Sequence, residues 1–179
     1  MSRSTAYDLE ELYHSSDPVG SPRILVVGLG NSLLMDDGVG VHAVHALESL
    51  APPGVQVVEV GTAVLDALHL FEWADKILAI DAMKAGGAPG SVYAFCLEDV
   101  AESSHDEQAS LHELGLLAAL RFLPAPLGAE IDIIGVEPAT IDYGLDLTPA
   151  VAESLPMVVR AAMYRIFEWC KVDNKHLVC

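Results

Sequence analysis

The stretch Arg23–Gly40, RILVVGLGNSLLMDDGVG, constrains this chain more than any other. Ile24–Leu29 is a continuous apolar run, the pattern of a strand covered on both faces. It leads through the Gly28-Leu29-Gly30 turn to Asn31 and then to paired aspartates, Asp36 and Asp37, at the mouth of a helix. A buried strand aims whatever follows it at one point on the sheet edge. Asp81 and His112 come later, at positions where a parallel sheet brings them to that same edge. A metal site, a nucleotide site and a set of helix caps are the three readings open to such a group.

The rest of the chain alternates strand and helix. Arg23–Leu29 is the first strand and Gly38–Leu50 a helix closed by Pro52 and Pro53. Val55–Val60 is a strand, Ala63–Trp73 a helix and Lys76–Asp81 the third strand. The connection Ala82–Gly90 is short and glycine-rich, with no room for the crossover helix that a parallel return needs. The fourth strand, Ser91–Leu97, is therefore expected to run antiparallel. Ser110–Phe122 reads as a helix, with Ser110 and Glu113 spaced as a capping box. Ile131–Val136 is the fifth strand. Thr148 and Pro149 open a last helix as N-cap and first-turn proline, and its apolar positions run Val151, Leu155, Val158, Ala162, Ile166. This order predicts an α/β fold: a three-layer α/β/α sandwich on a five-stranded, mostly parallel sheet with strand four antiparallel.

With 179 residues, 52% of them hydrophobic, the chain suits one domain with a substantial core. That domain is placed at residues 23–171. Residues 1–22 read as a flexible N-terminal tail and 172–179 as a C-terminal tail. The formal net charge of -17 argues against nucleic acid and against anionic membrane surfaces. No apolar run is long enough to span a bilayer, and the polar start lacks the apolar core of a secretory signal. The 3 cysteines have no CxxC spacing, so neither a disulfide framework nor a structural zinc site is indicated. A cytoplasmic location is expected.

Each candidate has an ordinary explanation beside the functional one. A dinucleotide fingerprint would need a glycine at position 33, which is Leu, although Glu59 stands near the place of its ribose-binding acid. Two aspartates at the helix entrance would also repel a pyrophosphate. One of Asp36 and Asp37 is expected only to cap the helix, so that its loss would cost about 1 kcal/mol. The other is expected to face the cleft, and position alone does not say which. Asp81 ends an apolar strand, where a carboxylate is costly unless paired, hydrogen-bonded or coordinating. His112 alone is weak, and His42 with His45 suits a chelate or an exposed helix face equally. Two carboxylates and an imidazole form a mixed oxygen/nitrogen set, suited to a divalent ion such as nickel or zinc with open positions.

In order along the chain, GLGNSLLMDDGVG, GTAVLDAL, AIDAMKAGGAPG, SLHELGL and GVEPATIDYGLDLTPAV resemble the motifs of the nickel–iron hydrogenase maturation endopeptidases. The likeness runs from about Arg23 to about Ile166. It implies a peptidase that removes the C-terminal extension of a hydrogenase large-subunit precursor after nickel insertion. It also implies a mixed sheet with strand four antiparallel. Carried over, the metal ligands are Asp37, Asp81 and His112; a general base would be Asp37 or Asp81, or Asp36 if it faces the cleft. The implied metal is nickel carried by the substrate, and in isolation another divalent ion such as zinc or cadmium. Where the family usually has Asp-Gly-Gly-Thr after strand two, this chain has Glu59-Val60-Gly61-Thr62, the implied substrate-recognition loop. Two readings of other kinds share the site: a non-enzymatic, nickel-dependent hydrogenase assembly factor and a small-molecule metallohydrolase. No GxSxG motif supports a covalent serine route.

Overall fold

The structure is a computed structural model that describes residues 21–97 and 128–172. Five strands form one sheet in the order β2-β1-β3-β5-β4. They are β1 (Ile24–Leu29), β2 (Val55–Gly61), β3 (Lys76–Ala82), β4 (Val92–Cys96) and β5 (Glu130–Val136). β1, β2, β3 and β5 are parallel, and β4 runs antiparallel along β5, from Val92 opposite Val136 to Cys96 opposite Asp132. The short connection after β3 thus does what its length dictates.

Side chains alternate across the sheet. Ile24, Val26, Leu78, Ile80, Ile134 and Val136 face one side and pack with Val39, Val44 and Leu47 of helix α1 (Val39–Leu47). Val151, Val158, Ala162 and Ile166 of helix α3 (Pro149–Val172) join the same cluster. These are four of the five apolar positions read from the sequence, and Leu155 packs against them partly buried. Leu25, Val27, Ile77, Ala79 and Ile133 face the other side, against Phe71 of helix α2 (Leu68–Trp73).

Two helices are shorter than their sequence pattern. Ala63–Ala67 forms i+3 turns rather than the first turns of α2, with Ala63, Asp66 and Ala67 N–H groups bonded to Val60, Ala63 and Val64 carbonyls. α1 ends at Leu47, and its last carbonyl accepts from both Leu50 and Ala51. The expected helix Ser110–Phe122, His112 within it, and most of both expected tails lie outside the described residues.

The start of α1 is pressed onto the strand ends. A Cβ at Gly40 would lie 2.1 Å from the Ile80 carbonyl oxygen and 2.5 Å from that of Leu29. One at Gly28 would lie 2.3 Å from the Gly40 carbonyl oxygen. Only backbone fits there. The entrance to α1 is thereby fixed against the C-terminal ends of β1 and β3, where ligands bind in open α/β sheets.

Candidate functional site

Asp37 sits on a single 3₁₀ turn, Met35–Gly38, between the glycine turn and α1, and is fully buried. Its Oδ2 accepts the Asn31 N–H at 2.8 Å. Asp81 is 5% exposed at the end of β3, and its Oδ1 accepts the Ala82 N–H at 2.8 Å. Backbone N–H donors are what keep a buried carboxylate tolerable. Gly30 lies between the Asp37 main chain and the Asp81 side chain. This residue has φ +98°, and a Cβ on it would lie 1.8 Å from the Asp37 carbonyl oxygen and 3.4 Å from Asp81 Oδ1. A side chain at position 30 would push apart the walls of the site.

Of the three side chains expected at the site, Asp37 and Asp81 are buried near the C-terminal ends of β1 and β3, and His112 lies outside the described residues. Among the described residues, no group of three or more His, Cys, Asp or Glu side chains is placed to hold a metal ion. Two buried carboxylates are oxygen donors of a kind a divalent ion accepts, and nitrogen and further donors would have to come from elsewhere. A carboxylate there can equally take a proton from water.

Asp36 corrects the reading of a helix cap. Neither the 3₁₀ turn nor α1 has a side-chain cap bond. Asp36 is fully buried and turns the other way. Its Oδ2 accepts the N–H groups of Ala139 at 2.8 Å and Thr140 at 2.9 Å and the Thr148 hydroxyl at 2.9 Å. Its Oδ1 accepts the Thr148 N–H at 2.7 Å. One carboxylate thus gathers both ends of the loop 139–148. Thr148 still opens α3, its carbonyl accepting the Ala152 N–H at 2.8 Å, but its hydroxyl is committed to Asp36. Backbone bonds complete the union: Met35 N–H to the Gly144 carbonyl at 2.9 Å and Gly144 N–H to that of Leu33 at 3.0 Å. Met35, at φ +49°, is the only non-glycine residue with positive φ among the described residues. It lies where a Gly144 Cβ would come within 2.8 Å of its Cγ.

A further buried acid, Glu137, follows β5 at the same edge. Its Oε2 accepts the N–H groups of Ala85 at 2.8 Å and Gly87 at 3.1 Å and the Tyr93 hydroxyl at 3.2 Å. Burial pushes its pKa up, but the Ala85, Gly87 and Gly86 N–H groups and Tyr93 outweigh it and hold the carboxyl below its usual range. The argument from strand-end burial that singled out Asp81 applies equally to Glu137, and would have found it.

In the expected recognition loop, Glu59 is bonded to His45 Nε2 at 2.7 Å, both side chains half exposed. His45 thus pairs across to β2. Val60 is buried with the α2-side core, Gly61 takes φ +57°, and Thr62 is exposed. The valine costs the loop nothing, because the left-handed step falls on Gly61 instead.

A family profile described as hydrogenase maturation protease matches residues 41–164. The hydrogenase 2 maturation protease of Escherichia coli (strain K12) is 35% identical over 135 residues, 72% of this chain and 81% of that protein. The chain belongs to the hydrogenase maturation protease family. Among solved structures, the hydrogenase maturating endopeptidase HybD from E. coli superposes with a TM-score of 0.72 at 30% identity, covering 82% of this chain and 93% of that one. The [NiFe] hydrogenase maturation protease HybD from Thermococcus kodakarensis gives 0.71 at 32% identity, covering 80% of this chain and 99% of that one. The mixed five-stranded sheet is the fold of this family. Among the described residues, no helix is long and apolar enough to cross a membrane.

Proposed function

We propose that this chain is a cytoplasmic endopeptidase that removes the C-terminal extension of a nickel–iron hydrogenase large-subunit precursor once nickel is seated in it. Membership of the maturation protease family supports the reaction class. The observation that supports the assignment of the site is the burial of two carboxylates, Asp37 and Asp81, beside the C-terminal strand ends where α/β sheets bind ligands.

In this reading the nickel belongs to the substrate. The precursor leaves its shell incomplete, and Asp37, Asp81 and His112 supply the missing ligands from the protease side. Neither half of such a split ligand set binds well alone, so docking reports that nickel has been inserted. Hydrolysis then requires water to attack the scissile carbonyl carbon while its proton is taken up and the departing amine is protonated. Asp37 or Asp81 acts as the base, receiving the water proton and passing one to the leaving nitrogen. The N–H of Asn31 on Asp37 and that of Ala82 on Asp81 hold the two carboxylates in place.

The test is incubation with nickel-loaded and nickel-free precursor, read by intact mass. Asp81→Ala and His112→Ala should each abolish cleavage of loaded precursor while retaining wild-type circular dichroism. Full processing by both variants would remove the proposed site. Equal rates on nickel-free precursor would remove the metal gate. A precursor bound but never shortened would leave an assembly factor in place of a peptidase.

A further inference from the structure

The loop 139–148, tied to the strip before α1 by Asp36, carries large exposed apolar side chains. Tyr143 is 89% exposed, Leu145 66%, Ile141 39%, and Leu33, on the strip bonded to Gly144, 59%. Scattered single apolar residues on a surface need no explanation, but three large ones within five residues of one loop call for one. This group is carried on backbone that is held hard. Asp36 accepts from Ala139, Thr140 and Thr148, and the Leu33–Asp36 strip is bonded to Thr140 and Gly144. A loop whose backbone is clamped by a buried carboxylate while its large side chains stay in water is already ordered for a partner, and spares that partner the entropy of ordering it.

Two features say what the partner is. The clamp and the carboxylate site share one turn: Asp36 holds the loop and its neighbour Asp37 holds Asn31. The loop is thus anchored within one residue of Asp37 along the chain, within reach of an extended protein substrate. Asp142 and Asp146, both exposed, interleave with Ile141, Tyr143 and Leu145, in a chain of net charge -17. The complementary surface is apolar with basic groups around it.

We propose that this loop is the docking platform for the hydrogenase precursor, with Tyr143 and Leu145 as its anchors and Asp36 as the positioning residue beneath. This rests on the function proposed above. Tyrosine in the centre of an apolar patch is a common binding hot spot. In the complex Ile141 and Leu33 would help to close water out from the anchors, and Asp142 and Asp146 would favour a basic rim on the substrate.

The experiment measures precursor binding by interferometry and cleavage by intact mass, separately, for wild type, Tyr143→Ala, Leu145→Ala and Tyr143→Phe. Each alanine variant should weaken binding and raise KM on the order of tenfold, with kcat within about twofold. Tyr143→Phe should bind like wild type, because the anchor is the ring. Urea midpoints should not move, since these side chains are exposed. Unchanged binding in folded alanine variants would overturn the platform while leaving the peptidase reading intact. Wild-type binding without cleavage, lost in the alanine variants, would uphold the platform and sink the peptidase. A wild-type dimer that the alanine variants dissolve, with precursor binding unaffected, would reassign the surface to a second copy and overturn the proposal.

Discussion

Replacing Asp36 with alanine separates a structural clamp from an ordinary helix-entrance acid. The carboxylate receives three backbone N–H groups and one hydroxyl. Ala139 and Thr140 are exposed residues, so water can take over their N–H groups. The two bonds from Thr148 lie deeper and are not so readily replaced. Hydrogen bonds to a charged group are each worth about 1.5–3 kcal/mol, so the loss of these two gives about 3–6 kcal/mol. A cap would give about 1 kcal/mol. Against a usual domain stability of about 5–15 kcal/mol this is a large share, and the melting temperature should fall by roughly 6–24 °C. Urea unfolding followed by circular dichroism is the assay, with the m-value compared to confirm that only stability has changed. Asp36→Asn is the companion variant. It keeps one acceptor oxygen and turns an NH2 group toward donors, so it should recover less than half of the loss. A cost of Asp36→Ala at or below about 1 kcal/mol would refute the clamp.

Two further outcomes concern packing and pH. Gly40→Ala should destabilise by about 3 kcal/mol or more, read as a lowered urea midpoint, because its Cβ would fall 2.1 Å from the Ile80 carbonyl oxygen and α1 would have to lift off the sheet. The Arg23 side chain, bonded to Asp75 at 2.7 and 3.0 Å, lowers the Asp75 pKa from 3.8 to about 2. A depressed carboxylate stabilises the fold above its unfolded-state pKa and loses that contribution as pH falls through the folded one. Asp75→Asn should therefore flatten the stability profile between about pH 4 and about pH 2, measured by urea midpoints across that range. Glu137 is shifted in the same direction, so Glu137→Gln should remove part of the acid-limb slope below the ordinary glutamate value of 4.5.

The fold was legible because its signals are local and strong. The Ile24–Leu29 run had to be covered on both faces, and the short Ala82–Gly90 link could only turn the chain back. The place of Asp81 was legible for a similar reason, since a carboxylate ending an apolar strand has to find a hydrogen-bond donor, as it does in the Ala82 N–H. The division of labour between Asp36 and Asp37 was not. Adjacent residues on a 3₁₀ turn point in different directions, and which one reaches Ala139, Thr140 and Thr148 is decided by contacts more than a hundred positions away. The shorter α2 escaped for the opposite reason. Ala63–Ala67 has helical composition, but its N–H groups close i+3 turns directly after Gly61 takes a left-handed step. Glu137 was within reach of the rule used for Asp81, but was read only as part of a motif.

The union of the Leu33–Asp36 strip with the segment leading into α3 bears on how such a protein can change its client. A chimera that takes either piece alone from a relative would set one partner's donors against a backbone shaped for another. The two travel as a matched pair, in nature or in the laboratory. Novelty is cheapest at positions such as 141, 143 and 145, whose side chains can be rewritten while the scaffold beneath them stays as it is.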